Sequence, residues 1–179
     1  MAMQHGLDGD HIRQLVADLA KRLRASNAEY RIIIAGGALL AWHGLRESTH
    51  DVDSLTYLDG DIQHAIRDVA ADHDLAPNWL NHNARPFTPA TLESDTCGLL
   101  FDERNLVVFG VPLHMLFLMK LDRAAPNDVD DMVTLWPLIE AKFRGIDDIV
   151  EQYYAAYPLA RFDDFLGRFV EDIARRAGR

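Results

Sequence analysis

Apolar residues at Ile12, Leu15, Val16, Leu19 and Leu23 follow the i, i+3, i+4 spacing that gives a helix one apolar stripe. Asp8 or Asp10 is placed to cap that helix and Ser26-Asn27 to stop it. The pattern then changes to the β-branched run Arg31 to Ala35, which predicts a strand, and the Ala/Leu-rich stretch from Gly37 to about His43 predicts a short helix. A second strand is expected over Asp51 to Leu58, a turn at Asp59-Gly60, and a helix capped by Asp61 with Ile62, Ala65, Ile66 and Val69 on its buried face, ending near His73.

Beyond that helix, Pro77 to Pro89 is rich in Asn and Pro and reads as a long irregular loop. Leu99 to Phe101 and Leu106 to Phe109 flank Asp102-Glu103-Arg104-Asn105 as a hairpin. From Pro112 onwards the pattern is helical, over 112–124, 128–136, 137–143, 147–156 and 161–176, with Pro137 and Pro158 as breaks or new starts. This order predicts an α/β (α+β) fold, a small mixed sheet flanked by helices. Residues 1–111 are expected to form the core and 112–179 a helical part packed on it.

Composition narrows the classes of function. A formal charge of -10 disfavours a general nucleic-acid coat, whose affinity comes from Lys and Arg neutralising phosphates, although it leaves room for RNA in a local basic groove. The lone Cys97 excludes an internal disulfide and a cysteine zinc cluster, so a reducing cytoplasm is the expected compartment. No basic start followed by an apolar run marks a secretory signal. The most apolar stretch, Leu106 to Met119, is interrupted by Gly110, Pro112 and His114 and is too short to span a bilayer, so no membrane partner is expected.

The candidate chemistry sits where the first strand ends and the second begins. Side chains alternate along a strand, so Asp51 and Asp53 project from one face about 7 Å apart, a spacing at which two carboxylates can share divalent cations. Gly36 and Gly37 lack a Cβ, so a phosphate can approach the backbone there, facing the positive end of the following helix.

The run Gly36-Gly37, Gly44, Arg46, Thr49, Asp51 and Asp53 resembles the signature of the nucleotidyltransferase superfamily related to DNA polymerase beta, in the Gly-Gly variant of small bacterial domains and AbiEii-type toxins. Trp79-Leu80-Asn81 and Met119-Lys120-Leu121 followed by Asn127 to Asp131 look like later motifs of that subgroup. The resemblance implies a transferase that uses a nucleoside triphosphate and Mg²⁺ or Mn²⁺, with Asp51 and Asp53 as metal ligands. It further implies catalytic roles for Lys120 and Asp128, and nucleotide contacts from Gly36, Gly37, Arg46, Thr49 and Lys120. The acceptor it implies is an RNA such as a tRNA end, a protein or a small molecule, and by association the partner is a toxin–antitoxin protein.

Several positions keep more than one reading. The superfamily places a third carboxylate on a later strand, but Leu106 to Phe109 has none, and His82 stands where relatives often have Asp; Asp95, Asp102 and Glu103 are substitutes that spacing does not separate. Lys120 lies on an apolar helical face with Leu113, Leu116 and Phe117, so it either meets an anionic partner or runs its stem out to solvent. Asp128 and Asp131 share a face near it, and acids in a first turn also stabilise a helix dipole without chemistry. Related chains often carry Arg where Ala125 stands. Trp42, Trp79 and Trp136 read as packing, with base stacking open to Trp79. The histidines have no metal-site spacing. The missing third carboxylate also keeps open a non-catalytic nucleotide- or partner-binding module on the same fold.

Overall fold

Asp8 starts the first helix by accepting a hydrogen bond from the His11 backbone N–H (2.8 Å), and the apolar stripe that follows is the one the spacing predicts. The structure, a computed structural model, describes residues 6–26 and 28–178; Asn27, half of the expected helix stop, lies outside them. Helix α1 covers Gly9–Leu23 and buries Ile12, Leu15 and Leu19 completely. Each such side chain contributes about 1.5–3 kcal/mol on leaving water. The chain divides into two units, 1–86 with 97–111, and 87–96 with 112–179.

In the first unit, strand β1 (Tyr30–Ile34) runs into helix α2 (Gly36–Trp42), strand β2 (Val52–Asp53), helix α3 (Gly60–Asp72), strand β3 (Leu80–Asn81) and the hairpin β4 (Gly98–Glu103) and β5 (Leu106–Gly110). β1 pairs parallel with β5, and β5 antiparallel with β4, in a three-stranded sheet of order β1-β5-β4. β2 and β3 form a parallel pair, and an isolated antiparallel bridge between Ile34 and Ser54 ties it to β1. Helix α1 packs on α2 and α3. His73 Nε2 and Asp18 Oδ2, 2.9 Å apart, add a polar link between α1 and the end of α3.

Three expectations for this unit are corrected. The second strand is two residues long instead of running to Leu58, because Ser54 Oγ accepts from the Thr56 N–H (2.9 Å) and donates to the Thr56 carbonyl (3.0 Å), a side-chain turn that ends the regular ladder. Asp59, not Asp61, is the cap residue of α3. The loop from Pro77 to Pro89 contains β3, anchored by Trp79, whose ring is 1% exposed and whose Nε1–H donates to the Ile66 carbonyl at 3.0 Å. Trp79 is therefore a packing residue.

In the second unit, helices α4 (Leu113–Arg123), α5 (Pro126–Ile139), α6 (Ile146–Ala156) and α7 (Leu166–Arg176) surround Leu116, Phe117, Met132, Leu135, Val170 and Ile173. Segment 87–96 belongs to this unit: the Ala90 N–H donates to the Ala156 carbonyl (2.8 Å) and the Tyr157 hydroxyl to the Phe87 carbonyl (3.0 Å). Helix α5 runs through Pro137 instead of breaking there, since the proline falls in the last turn, where only one backbone bond is lost. Helix α7 begins at Leu166, not 161, after the Asp163 carboxylate accepts from the Phe165 N–H (2.8 Å). No helix among the described residues is long and apolar enough to cross a membrane.

The seat of α1 on α2 gives a test. A Cβ at Gly9 would lie 2.4 Å from the Ala41 carbonyl oxygen, a backbone atom that cannot move aside cheaply. Gly9→Ala is expected to lower stability by about 2 kcal/mol, the overpacking cost exceeding any helix-propensity gain, as read from the urea midpoint.

Candidate functional site

Asp51 and Asp53 are each half-buried, and Val52 between them is 1% exposed, so the two carboxylates lie on the side of the strand opposite the core. The strand that carries them is bonded along both edges. The Ala35 N–H, just after β1, donates to the Asp53 carbonyl (3.0 Å), while Val52 and Ser54 donate to the carbonyls of Trp79 (2.6 Å), just before β3, and Asn81 (2.8 Å) within it.

The glycine pair faces these side chains directly. Gly36 has φ +64°, and a Cβ there would lie 2.9 Å from Asp53 Oδ2; one at Gly37 would lie 2.9 Å from Thr49 Oγ1 and 3.1 Å from Arg46 Nη1. Only residues without a Cβ allow the backbone so close to a carboxylate on one side and a hydroxyl and guanidinium on the other. The structure thus brings Gly36, Gly37, Arg46, Thr49 and Asp53 into one neighbourhood. Arg46 is braced through its Nε, which donates to the Ser48 carbonyl at 2.9 Å. Thr49 exchanges two backbone bonds with Leu7 (2.7 and 2.9 Å), and its Oγ1 lies beside Gly37.

One residue of this site was named from the sequence only within a motif and without a role. Asn81, 8% exposed, donates from Nδ2 to Asp51 Oδ2 (3.1 Å) and accepts the Asn83 N–H on Oδ1 (2.9 Å), and it stands in register with Asp53 across the β2–β3 pair. Its only sequence signal is the Trp79-Leu80-Asn81 run, because a two-residue strand leaves no periodicity to read. Among the described residues, no group of three or more His, Cys, Asp or Glu side chains is arranged to hold a metal. Asp51 and Asp53 nevertheless suit Mg²⁺, which binds through one or two hard carboxylates and completes its shell with water and phosphate oxygens. Asp95, Asp102 and Glu103 lie in a 3-10 turn and strand β4, and none joins such a group.

In the helical unit, Lys120 is 3% exposed and donates to Asp128 Oδ1 (3.0 Å) and Asp131 Oδ2 (2.6 Å). Arg123 Nε donates to Asp128 Oδ2 (2.7 Å), and the Ala125 N–H donates to the same oxygen (3.1 Å), so Asp128 also closes the first turn of α5. Lys120 therefore has anionic partners in place of a route to solvent. Burial raises the Asp128 carboxyl, but the Arg123 hydrogen bonds and the charge and hydrogen bond of Lys120 outweigh it and hold it below its ordinary value.

This arrangement makes stability depend on acid. A carboxyl lowered in the folded state contributes its full stability above the unfolded aspartate value, about 3.9, and loses it as pH falls through the folded one. Asp128→Asn is expected to cost about 3 kcal/mol at pH 7, where Lys120 and Arg123 lose their shared charge partner. That difference from the wild type should shrink towards pH 3, as urea unfolding at the two pH values will measure.

Residues 10–171 match the family described as nucleotidyltransferase of unknown function (DUF6036). No curated protein and no solved structure matches the chain. The match covers most of the 179 residues, and the chain belongs to that family.

Proposed function

We propose that this nucleotidyltransferase moves a nucleoside monophosphate from a nucleoside triphosphate to an acceptor, with Mg²⁺ or Mn²⁺ held by Asp51 and Asp53. The observation that carries the proposal is the contact of the glycine pair with the chemistry-bearing side chains: Gly36 lies against Asp53, and Gly37 against Thr49 and Arg46. A backbone without Cβ atoms beside a carboxylate, a hydroxyl and a guanidinium suits a polyphosphate with its cations. Family membership supports the same reading.

Bound there, a divalent cation supplies neutralisation of the phosphate charge. The chain's own groups bind and orient. Thr49 Oγ1 and Arg46 take phosphate oxygens at the Gly37 opening, and Asn81 holds the Asp51 carboxylate in place through its 3.1 Å bond. In the transfer, the acceptor oxygen bonds to the α-phosphorus while the bond to the α–β bridging oxygen breaks. Pyrophosphate leaves with that electron pair, and the hydroxyl proton passes to water.

The likeness to AbiEii-type toxins supports an RNA or protein acceptor and a place in a toxin–antitoxin pair, and the single Cys97 supports a cytoplasmic setting. A small-molecule acceptor fits the same chemistry. Lys120 and Asp128 enter the proposal through that likeness as charge-bearing groups for the nucleotide. Loss of triphosphate binding in a folded Lys120→Ala variant supports this role, whereas loss of stability alone assigns the ammonium to the junction of α4 and α5.

The absence of a third clustered carboxylate among the described residues favours one alternative, a module that binds metal–nucleotide without turnover. Incubation with α-labelled nucleoside triphosphates, Mg²⁺ or Mn²⁺ and total RNA or lysate separates the two. The expected result is covalent label on an acceptor, reduced at least about a hundredfold in Asp53→Asn. Metal-dependent triphosphate binding with no label transfer would establish the alternative.

A further inference from the structure

A second feature of the first unit borders the acidic pair. A groove of ≈ 320 Å³ lies between α3 and the segment around β3, with Leu58, Ile66 and Leu80 among its walls and the amides of Gln63, Asn78 and Asn83 around them. This volume falls in the range of small-ligand sites, which combine apolar walls with a few placed polar groups. Gln63 Nε2 is occupied by the Leu58 carbonyl (2.9 Å), which fixes the amide and leaves its oxygen as an acceptor. The side chains of Asn78 and Asn83 make no hydrogen bond among the described residues, so both offer a donor and an acceptor to an occupant.

Two observations connect this groove to nucleotide chemistry. Asn81 lines it and also donates to Asp51, so the groove and the candidate metal carboxylates share a side chain. The ring of His82, another lining residue, lies 5.0 Å from the Tyr57 ring, and the Arg85 guanidinium lies over the same Tyr57 ring, 5.6 Å from its centroid. Tyr57 is 59% exposed. An exposed aromatic flanked by an imidazole and a guanidinium is a platform on which a flat heterocycle stacks, and the amides beside it can pair with the edge of that heterocycle. Arg67, exposed and without an ion-pair partner among the described residues, adds positive charge to the rim.

We propose that this groove is a nucleobase site: the base stacks at Tyr57 and His82, and its edge is read by Gln63, Asn78 and Asn83. The proposal rests on the nucleotidyltransferase reading and names a second subsite for it. Such a base comes from one of two sources, the donor nucleoside triphosphate or the end of a single-stranded RNA acceptor.

Equilibrium binding to the full-length protein in Mg²⁺ tests this without measuring transfer. The probes are the four nucleoside triphosphates, inorganic triphosphate and a short single-stranded RNA, and the variants are Tyr57→Ala and Asn78→Ala, both at exposed positions. Tyr57→Ala is expected to weaken one base-bearing probe about tenfold, the effect of losing one stacked base, and to leave inorganic triphosphate unchanged. Asn78→Ala should alter the preference among bases. Loss confined to the nucleoside triphosphates identifies the donor base, and loss confined to RNA identifies the acceptor. Unchanged affinity for every base-bearing probe overturns the base site even if the wild type transfers label, whereas an inactive wild type with the Tyr57 effect intact overturns turnover and leaves the base site standing.

Discussion

Backbone hydrogen bonds on both edges of the short strand after His50 fix where the acidic pair stands. On one edge the Ala35 N–H meets the Asp53 carbonyl and the Leu55 N–H the Ile33 carbonyl (2.8 Å), while Thr56 Oγ1 accepts from the Ile33 N–H (3.1 Å). On the other edge the Trp79 and Asn81 carbonyls accept from Val52 and Ser54. Asp53 therefore cannot move without breaking a ladder, and the Asp51 carboxylate is further held by the Asn81 amide. The same bonds press Asp53 against Gly36, so the first residue of α2 must do without a Cβ and adopts a positive φ.

Much of this was legible in the chain because it follows from local rules. Alternation around Val52 matches its burial between two half-buried acids, and the apolar stripe of α1 with its Asp8 cap gave the first helix. The misses share a cause, which is control by contacts distant in sequence or by side-chain bonds. Ser54 is an unremarkable strand residue until its hydroxyl is seen to bind both backbone groups of Thr56. β3 is too short for periodicity and exists because Trp79 is anchored on α3. The link from Asn81 to Asp51 follows from that pairing, and no window of sequence contains both strands.

The helical unit shows a different use of charge. Lys120, Asp128 and Asp131 are 3%, 0% and 8% exposed, so their desolvation is large, and the bonds they make with one another, with Arg123 and with the Ala125 N–H offset it. Such a cluster stands or falls as a unit, which is why its stability contribution is tied to the ionised state of Asp128. The acidic total of the chain, -10, thus includes carboxylates with assigned partners in both units, and it is a poor guide to the local field at any one site.

The central claim, that Asp51 and Asp53 hold a divalent cation beside the glycine pair, is tested most directly by Mn²⁺ binding. Electron paramagnetic resonance of free Mn²⁺, titrated with protein and a non-hydrolysable nucleoside triphosphate analogue, reports bound metal without requiring turnover. The account predicts saturable binding that is lost in both Asp51→Asn and Asp53→Asn while the variants remain folded. Mn²⁺ binding of equal strength in the wild type and both variants would contradict it.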